Sequence, residues 1–184
     1  MLLFAVQLSI LKPKYRIWPP PKKDGWQQWV SWALFTISMF GVPLLGILDF
    51  ESLTLGSSWI HILIGFLPII IGFAIDLWGT KTLSTQQSLG GTGKIITEGP
   101  YRYTRNPQYV GFILIYTGII IATYSVMALV TGLILIVTFF ILPLSEEPWL
   151  KQQYREPFKE YCKRVPFVGL RSIKREASGK TQSS

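Results

Sequence analysis

The sequence predicts an all-α polytopic membrane protein with four transmembrane helices in two hairpins, a cytoplasmic loop and a C-terminal amphipathic helix. Three observations predict it. Apolar residues make up 49% of the 184-residue chain and charged residues 15%, with a mean hydropathy of +0.35, whereas soluble domains carry ~25% charged residues. Residues 25–48, 52–75 and 106–145 hold no Asp, Glu, Lys or Arg. The 18 Lys and Arg residues fall in three blocks, five over 12–23, four over 81–105 and nine over 151–180. An aromatic content of 14% and the long apolar runs exclude disorder for most of the chain. The length suits one domain, over 1–168, with a polar tail at 169–184 expected to be disordered.

Residues 1–11 are nearly all apolar but too few to span. With no basic n-region and no small-residue cleavage site, they read as an interfacial helix. Trp18-Pro19-Pro20-Pro21 then stiffens the entry to the first span. That span, Trp26 to Leu48, and the second, Trp59 to Trp78, each supply the ~20 apolar residues that cross ~30 Å of hydrocarbon. The forty uncharged residues 106–145 would run ~60 Å as one helix at ~1.5 Å per residue. They are therefore read as a hairpin, 108–122 and 126–144, turning at Thr123-Tyr124-Ser125. Trp26, Trp29, Trp32, Trp59 and Trp78 lie at span ends, where their rings favour the headgroup level.

Four spans put all three basic blocks on one side, and basic residues accumulate on the cytoplasmic side. The connection after the first span carries Asp49 and Glu51 and no basic residue. Both termini are accordingly placed in the cytoplasm. The net charge of +8 reads as a topology signal, and no nucleic-acid partner is expected.

Few groups outside the basic face carry chemistry. The single cysteine, Cys162, excludes an intramolecular disulfide and any Cys-based metal framework, and no metal site is expected. His61, the one histidine, sits near the outer end of the second span and reads as satisfied by a neighbour or water. Asp76, near the cytoplasmic end of that span, either faces the interface or points into a site. Gly90-Gly91-Thr92-Gly93-Lys94 is not a P-loop, which would need Gly at Ser88 and Ser or Thr at Ile95. It reads as a flexible cytoplasmic loop.

Two segments are denser. Gly99-Pro100 signals a turn, and Asn106-Pro107 reads as a helix start with Asn106 at N-cap and Pro107 at N1. Hydrogen-bonding groups gathered at a helix N-terminus suit an anionic or carboxylate-bearing ligand. At the end of the fourth span stand Glu146 and Glu147, with Pro148 expected to begin a new helix whose dipole favours them. Leu150, Tyr154, Phe158, Tyr161 and Val165 then mark an apolar stripe, with Lys151, Arg155, Lys159 and Lys163 off it. That amphipathic helix either lies on the membrane or folds over a site, and Pro157 is expected to kink it. The hairpin brings Arg105 and Glu146/Glu147 to the same membrane face. A pocket of Arg, Asn, Tyr and Glu there suits a small polar zwitterion.

The motif Gly99-Pro100-Tyr101-Arg102-Tyr103-x-Arg105-Asn106-Pro107-x-Tyr109-x-Gly111, followed by Glu146-Glu147 and the stripe to Val165, resembles the isoprenylcysteine carboxyl methyltransferase family, which belongs with the membrane phospholipid methyltransferases. The resemblance covers about 94–167. It implies an S-adenosylmethionine site built from the cytoplasmic loop and the last helices, and methyl transfer to a lipophilic or prenylated acceptor entering from the bilayer. A phospholipid N-methyltransferase, or a non-catalytic membrane protein on the same scaffold, is the alternative. By position, Tyr101, Arg105, Asn106, Pro107, Tyr109, Glu146 and Glu147 are the cofactor-binding candidates, with Arg105 and Glu147 also catalytic candidates. Arg105 would take a carboxylate through its planar fork, and Glu146 or Glu147 the cofactor's ammonium. The chain departs from many relatives at Asn106 (His), Arg155 (Gly), Phe158 (Tyr) and Phe167 (Arg).

Overall fold

The computed structural model describes residues 25–53, 59–83 and 95–167, and these are all-helical apart from their connections. Helix α1 is Trp26–Leu48, α2 Ile60–Leu83, α3 Pro107–Thr123 and α4 Val126–Arg164, with a 3-10 turn at Gly99–Arg102 before α3. The interfacial helix expected over 1–11, the loop at 90–94 and the tail at 169–184 lie outside the described residues.

The chain is an integral membrane protein. Helices α1, α2 and α4 are long and apolar enough to cross a bilayer, and α3 is a shorter apolar helix of 17 residues, ~26 Å long. The first hydrocarbon stretch and α1 coincide. Trp59 and Trp78 are 69% and 49% exposed and stand ~28 Å apart along α2, about one hydrocarbon thickness. Large side chains such as Ile37, Phe40, Leu63 and Leu67 point outward, which lipid tolerates and water does not.

Between helices in lipid there is little hydrophobic drive, so small residues that admit close packing decide which pairs form. On α2, Gly65, Gly72 and Gly79 recur every seven residues, facing Gly111 and Gly118 of α3, also seven apart. A Cβ placed on Gly72 would stand 2.5 Å from the Gly111 carbonyl oxygen, and one on Gly118 would stand 2.5 Å from that of Gly65. The two backbones touch along this seam, and a seven-residue spacing keeps one face of each helix turned to the other.

Helix α1 packs on α4 and α3. Its Val42 joins Phe112, Ile115, Tyr116 and Ile119 of α3 and Leu135, Phe139 and Leu142 of α4 in the main core. The Phe139 ring stacks against Phe112, Tyr116 and Tyr109, at 5.2, 5.8 and 5.9 Å between centroids. Tyr124, in the left-handed region at φ 47°, makes the α3–α4 turn tight.

The connection after α1 is pinned to that turn. The Asp49 carboxylate accepts from Ser125 Oγ at 2.7 Å, Ser52 Oγ at 2.8 Å and the Met127 N–H at 2.9 Å, capping α4 from another segment of the chain. These bonds, that from Met127 foremost, hold the Asp49 carboxyl below the usual carboxylate range. His61 is buried beside them, 4.8 Å from the Tyr124 ring centroid and 3.9 Å from the Glu51 carboxylate, too long for a hydrogen bond.

Pro148 does not begin a new helix, contrary to the sequence expectation. Helix α4 runs through Pro143 and Pro148 and breaks at Arg155, whose φ of 48° and ψ of −123° are non-helical. The break lies two residues before Pro157. A proline's ring collides with the carbonyl four residues back and disfavours α geometry at the residue before it, but it fits the first turn of a helix. Breaking at Arg155 makes Pro157 a first-turn residue of the segment that follows. The positive φ at Arg155 is a backbone conformation that side chains resist.

The glycine seam sets a contrast. Gly72→Ala should cost about 1–3 kcal/mol, because backbone must move to admit the methyl. Gly41→Ala, with nothing within 4 Å of its Cβ position, should be neutral or stabilising by up to ~1 kcal/mol. Thermal unfolding in detergent checks both.

Candidate functional site

The polar residues gather at the end of the bundle formed by the C-terminal half of α2, the start of α3 and the outer half of α4. The 3-10 turn seats them there. Gly99, at φ 56°, takes a conformation that side chains resist, and a Cβ on it would stand 2.9 Å from Thr82 Oγ1. This turn therefore rests directly on the end of α2.

Arg105 is the centre of the cluster. Its Nη1 donates to Glu147 Oε1 at 2.7 Å and to Cys162 Sγ at 2.9 Å. Its guanidinium lies over the Phe167 ring, 5.3 Å from the centroid. The Arg105 and Glu147 side chains are 14% and 20% exposed, so the pair is largely shielded from screening by water and salt. The other Glu147 oxygen accepts from Lys151 Nζ at 3.0 Å. Glu146, one residue earlier, accepts from the Tyr109 hydroxyl. Tyr101 is buried, and its carbonyl accepts from the Tyr161 hydroxyl at 2.7 Å. Burial above all, with the nearby charges of Glu146 and Asp76, raises the Tyr101 phenol; burial likewise raises that of Tyr161. Both phenols are neutral donors at physiological pH.

Asn106 holds the N-cap position of α3 but does not cap it, a correction to the sequence expectation. Its Nδ2 donates instead to the Phe167 carbonyl at 2.7 Å. The Arg105 N–H donates to the Pro166 carbonyl at 3.1 Å, and Thr104 Oγ1 to that of Phe167 at 3.4 Å. Residues 104–106 are thus clasped by 166–167. The long-range partner wins because the carbonyls of this extended end need donors, and Asn can supply one where a capping geometry would leave it idle.

Of the candidate residues, Tyr101, Arg105, Tyr109, Glu146 and Glu147 come together. Asn106 turns to the clasp, and Pro107 is buried at N1 next to Gly79 of α2. The sequence reading missed Cys162, Thr104 and the carbonyls of Pro166 and Phe167. Val165-Pro166, which ends the apolar stripe in an extended conformation, was the available signal.

The stripe itself folds over the site. Phe158, Tyr161 and Val165 form a second small core with Ile95, Leu150, Tyr154 and Cys162, leaving Lys151, Arg155, Lys159 and Lys163 exposed. Among the described residues no three His, Cys, Asp or Glu side chains are grouped to hold a metal ion. The arrangement offers a shielded cation, two carboxylates and neutral phenols. Arg105 Nε is buried and donates to no described residue, so the site retains an unused donor. Glu147→Gln should destabilise the protein by about 1–3 kcal/mol, less than the ~3–5 kcal/mol of a fully buried pair, as read by thermal unfolding in detergent.

Residues 60–157 match the pattern of the phospholipid methyltransferase family. Phosphatidylethanolamine N-methyltransferase B of Dictyostelium discoideum is 30% identical over 133 residues, covering 68% of this chain and 65% of its own. Protein-S-isoprenylcysteine O-methyltransferase B of Arabidopsis thaliana is 31% identical over 74 residues, covering 40% of this chain and 38% of its own. The chain thus matches less than two thirds of the length of either relative. No solved structure matches it significantly. With the family pattern spanning just over half of its length, from α2 through the acidic pair of α4, this chain belongs to the phospholipid methyltransferase family.

Proposed function

We propose that the protein transfers a methyl group from S-adenosylmethionine to a lipophilic acceptor at the cytoplasmic face of its membrane. The observation that carries this reading is the cluster of Arg105, Glu146 and Glu147 at the polar end of an apolar bundle. A water-soluble cofactor and a membrane-dissolved acceptor can meet at such a place. The described basic residues over 81–105 and 151–164 belong to the segments that build this end, and the 12–23 block precedes α1 in the sequence, which supports a cytoplasmic position for this end and for both termini.

The donor set fits the cofactor. A methionyl group carries both a carboxylate and an ammonium, and the cluster offers both complements. Arg105, with its unpartnered Nε, takes a carboxylate of cofactor or acceptor. Glu146 or Glu147 takes the ammonium, and Tyr101 and Tyr109 line the pocket, with Asn106 holding the 166–167 segment beside it and Pro107 fixing the start of α3. Bound S-adenosylmethionine supplies a methyl on a positively charged sulfur. The protein's contribution is to hold nucleophile, methyl and sulfur in line and to exclude water with the segment 156–164.

A carboxylate acceptor such as a prenylated cysteine needs no base, which suits Asn106. A phospholipid amine is the second reading, and the longer match to a phosphatidylethanolamine N-methyltransferase favours it. Calorimetric titration of the purified protein with S-adenosylmethionine should show saturable binding that Arg105→Lys weakens about tenfold, because Lys keeps the charge and loses the fork. A folded protein that does not bind the cofactor contradicts the reading.

A further inference from the structure

Asp76 is the one Asp, Glu, Lys or Arg between Glu51 and Lys81. It lies in α2 two residues on the membrane side of Trp78, ~3 Å deeper than that interfacial ring. An ionisable group in such a place is retained for a partner, yet the Asp76 carboxylate makes no hydrogen bond or ion pair with another described residue. Arg105, the largely shielded cation of the cluster, is committed to Glu147.

Asp76 borders the cluster already described. Its Cβ stands 3.0 Å from where a Cβ on Gly111 would be, on the face of α2 that meets the first turns of α3. Its charge and that of Glu146 both act on the Tyr101 phenol, so Asp76, Tyr101 and Glu146 share one neighbourhood. Asp76 is half-buried, and its neighbours Leu77 and Phe73 face outward. Asp76 therefore lies between the cluster and the outward-facing side of α2.

We propose that Asp76 is the residue that receives the acceptor, binding a cationic amine presented from the bilayer and taking its proton. This rests on the methyltransferase reading above. The Asp76 carboxylate repels an anionic acceptor and attracts an ammonium. An ammonium has no free electron pair, so it must lose a proton first. Its N–H bond breaks and the proton passes to the Asp76 carboxylate. The freed pair on nitrogen forms the new N–C bond. The methyl–sulfur bond breaks with its pair staying on sulfur, which becomes a neutral thioether, and Asp76 then releases the proton to water.

The test compares the full chain with Asp76→Asn and Asp76→Glu in nanodiscs, using labelled S-adenosylmethionine. Phosphatidylethanolamine serves as the amine acceptor and a farnesylated cysteine analogue as the carboxylate acceptor, with calorimetric cofactor binding measured alongside. The expected result is amine methylation by the wild type and a loss of about 100-fold or more in Asp76→Asn. Cofactor affinity should stay within about threefold, and Asp76→Glu should keep at least about a tenth of the rate. Wild-type rates in Asp76→Asn, equal losses in both variants, or methylation of the carboxylate acceptor alone would overturn the role of Asp76 and leave the methyltransferase reading standing. A wild type that binds no cofactor and methylates neither acceptor would overturn both.

Discussion

Where α2 meets α3, backbone lies against backbone. Lipid tails are as apolar as the side chains they would displace, so helices do not associate merely to hide leucines. Five glycines, at 65, 72 and 79 on one helix and 111 and 118 on the other, remove the side chains that would hold the helices apart. Everything polar at the end of the bundle depends on this approach. It brings the end of α2 under the 3-10 turn, sets Pro107 next to Gly79, and carries Asp76 to the side of Gly111. A wider pair would leave Tyr101 and Arg105 on an unsupported loop.

The second constraint is that a buried cation needs its counter-charge near at hand. Arg105 obtains one from α4, forty-two residues along the chain, because α4 does not stop where the hydrocarbon stops. It continues through Pro148, turns at Arg155, and returns with Tyr161, Cys162 and Phe167 over the start of α3. Ion pair, phenol-to-carbonyl bond and clasp all join the same two stretches of chain, 101–109 and 146–167. At the opposite end Asp49 performs a similar service, tying the connection after α1 to the first turn of α4. The bundle is therefore secured at both ends by polar contacts and along its length by shape.

Much of the fold was legible because it follows from local composition. Uncharged runs located α1, α3 and the start of α4 almost to the residue, since charge in hydrocarbon is costly wherever it falls. The convergence of Arg105 with the acidic pair was legible for the same reason, as the hairpin leaves those residues nowhere else to be. The seam was overlooked although its seven-residue spacing is written in the chain; glycines inside a span read as neutral until the facing helix is known. Asn106 followed its local propensity only as far as position. Its side chain answered a carbonyl sixty-one residues away, a contact that no window of sequence contains. The kink expected from Pro157 is present as the break at Arg155, but the new helix expected at Pro148 is not; which of the two prolines the helix accommodates depends on what the following segment packs against.

The central claim is that these two stretches form one cofactor site. Cys162 offers a direct probe, being the only cysteine of the chain and lying 2.9 Å from Arg105 Nη1. The rate at which a maleimide alkylates Cys162 in the detergent-solubilised protein should fall several-fold in saturating S-adenosylmethionine and stay constant in equal adenosine triphosphate. An alkylation rate that saturating S-adenosylmethionine leaves unchanged would contradict the account.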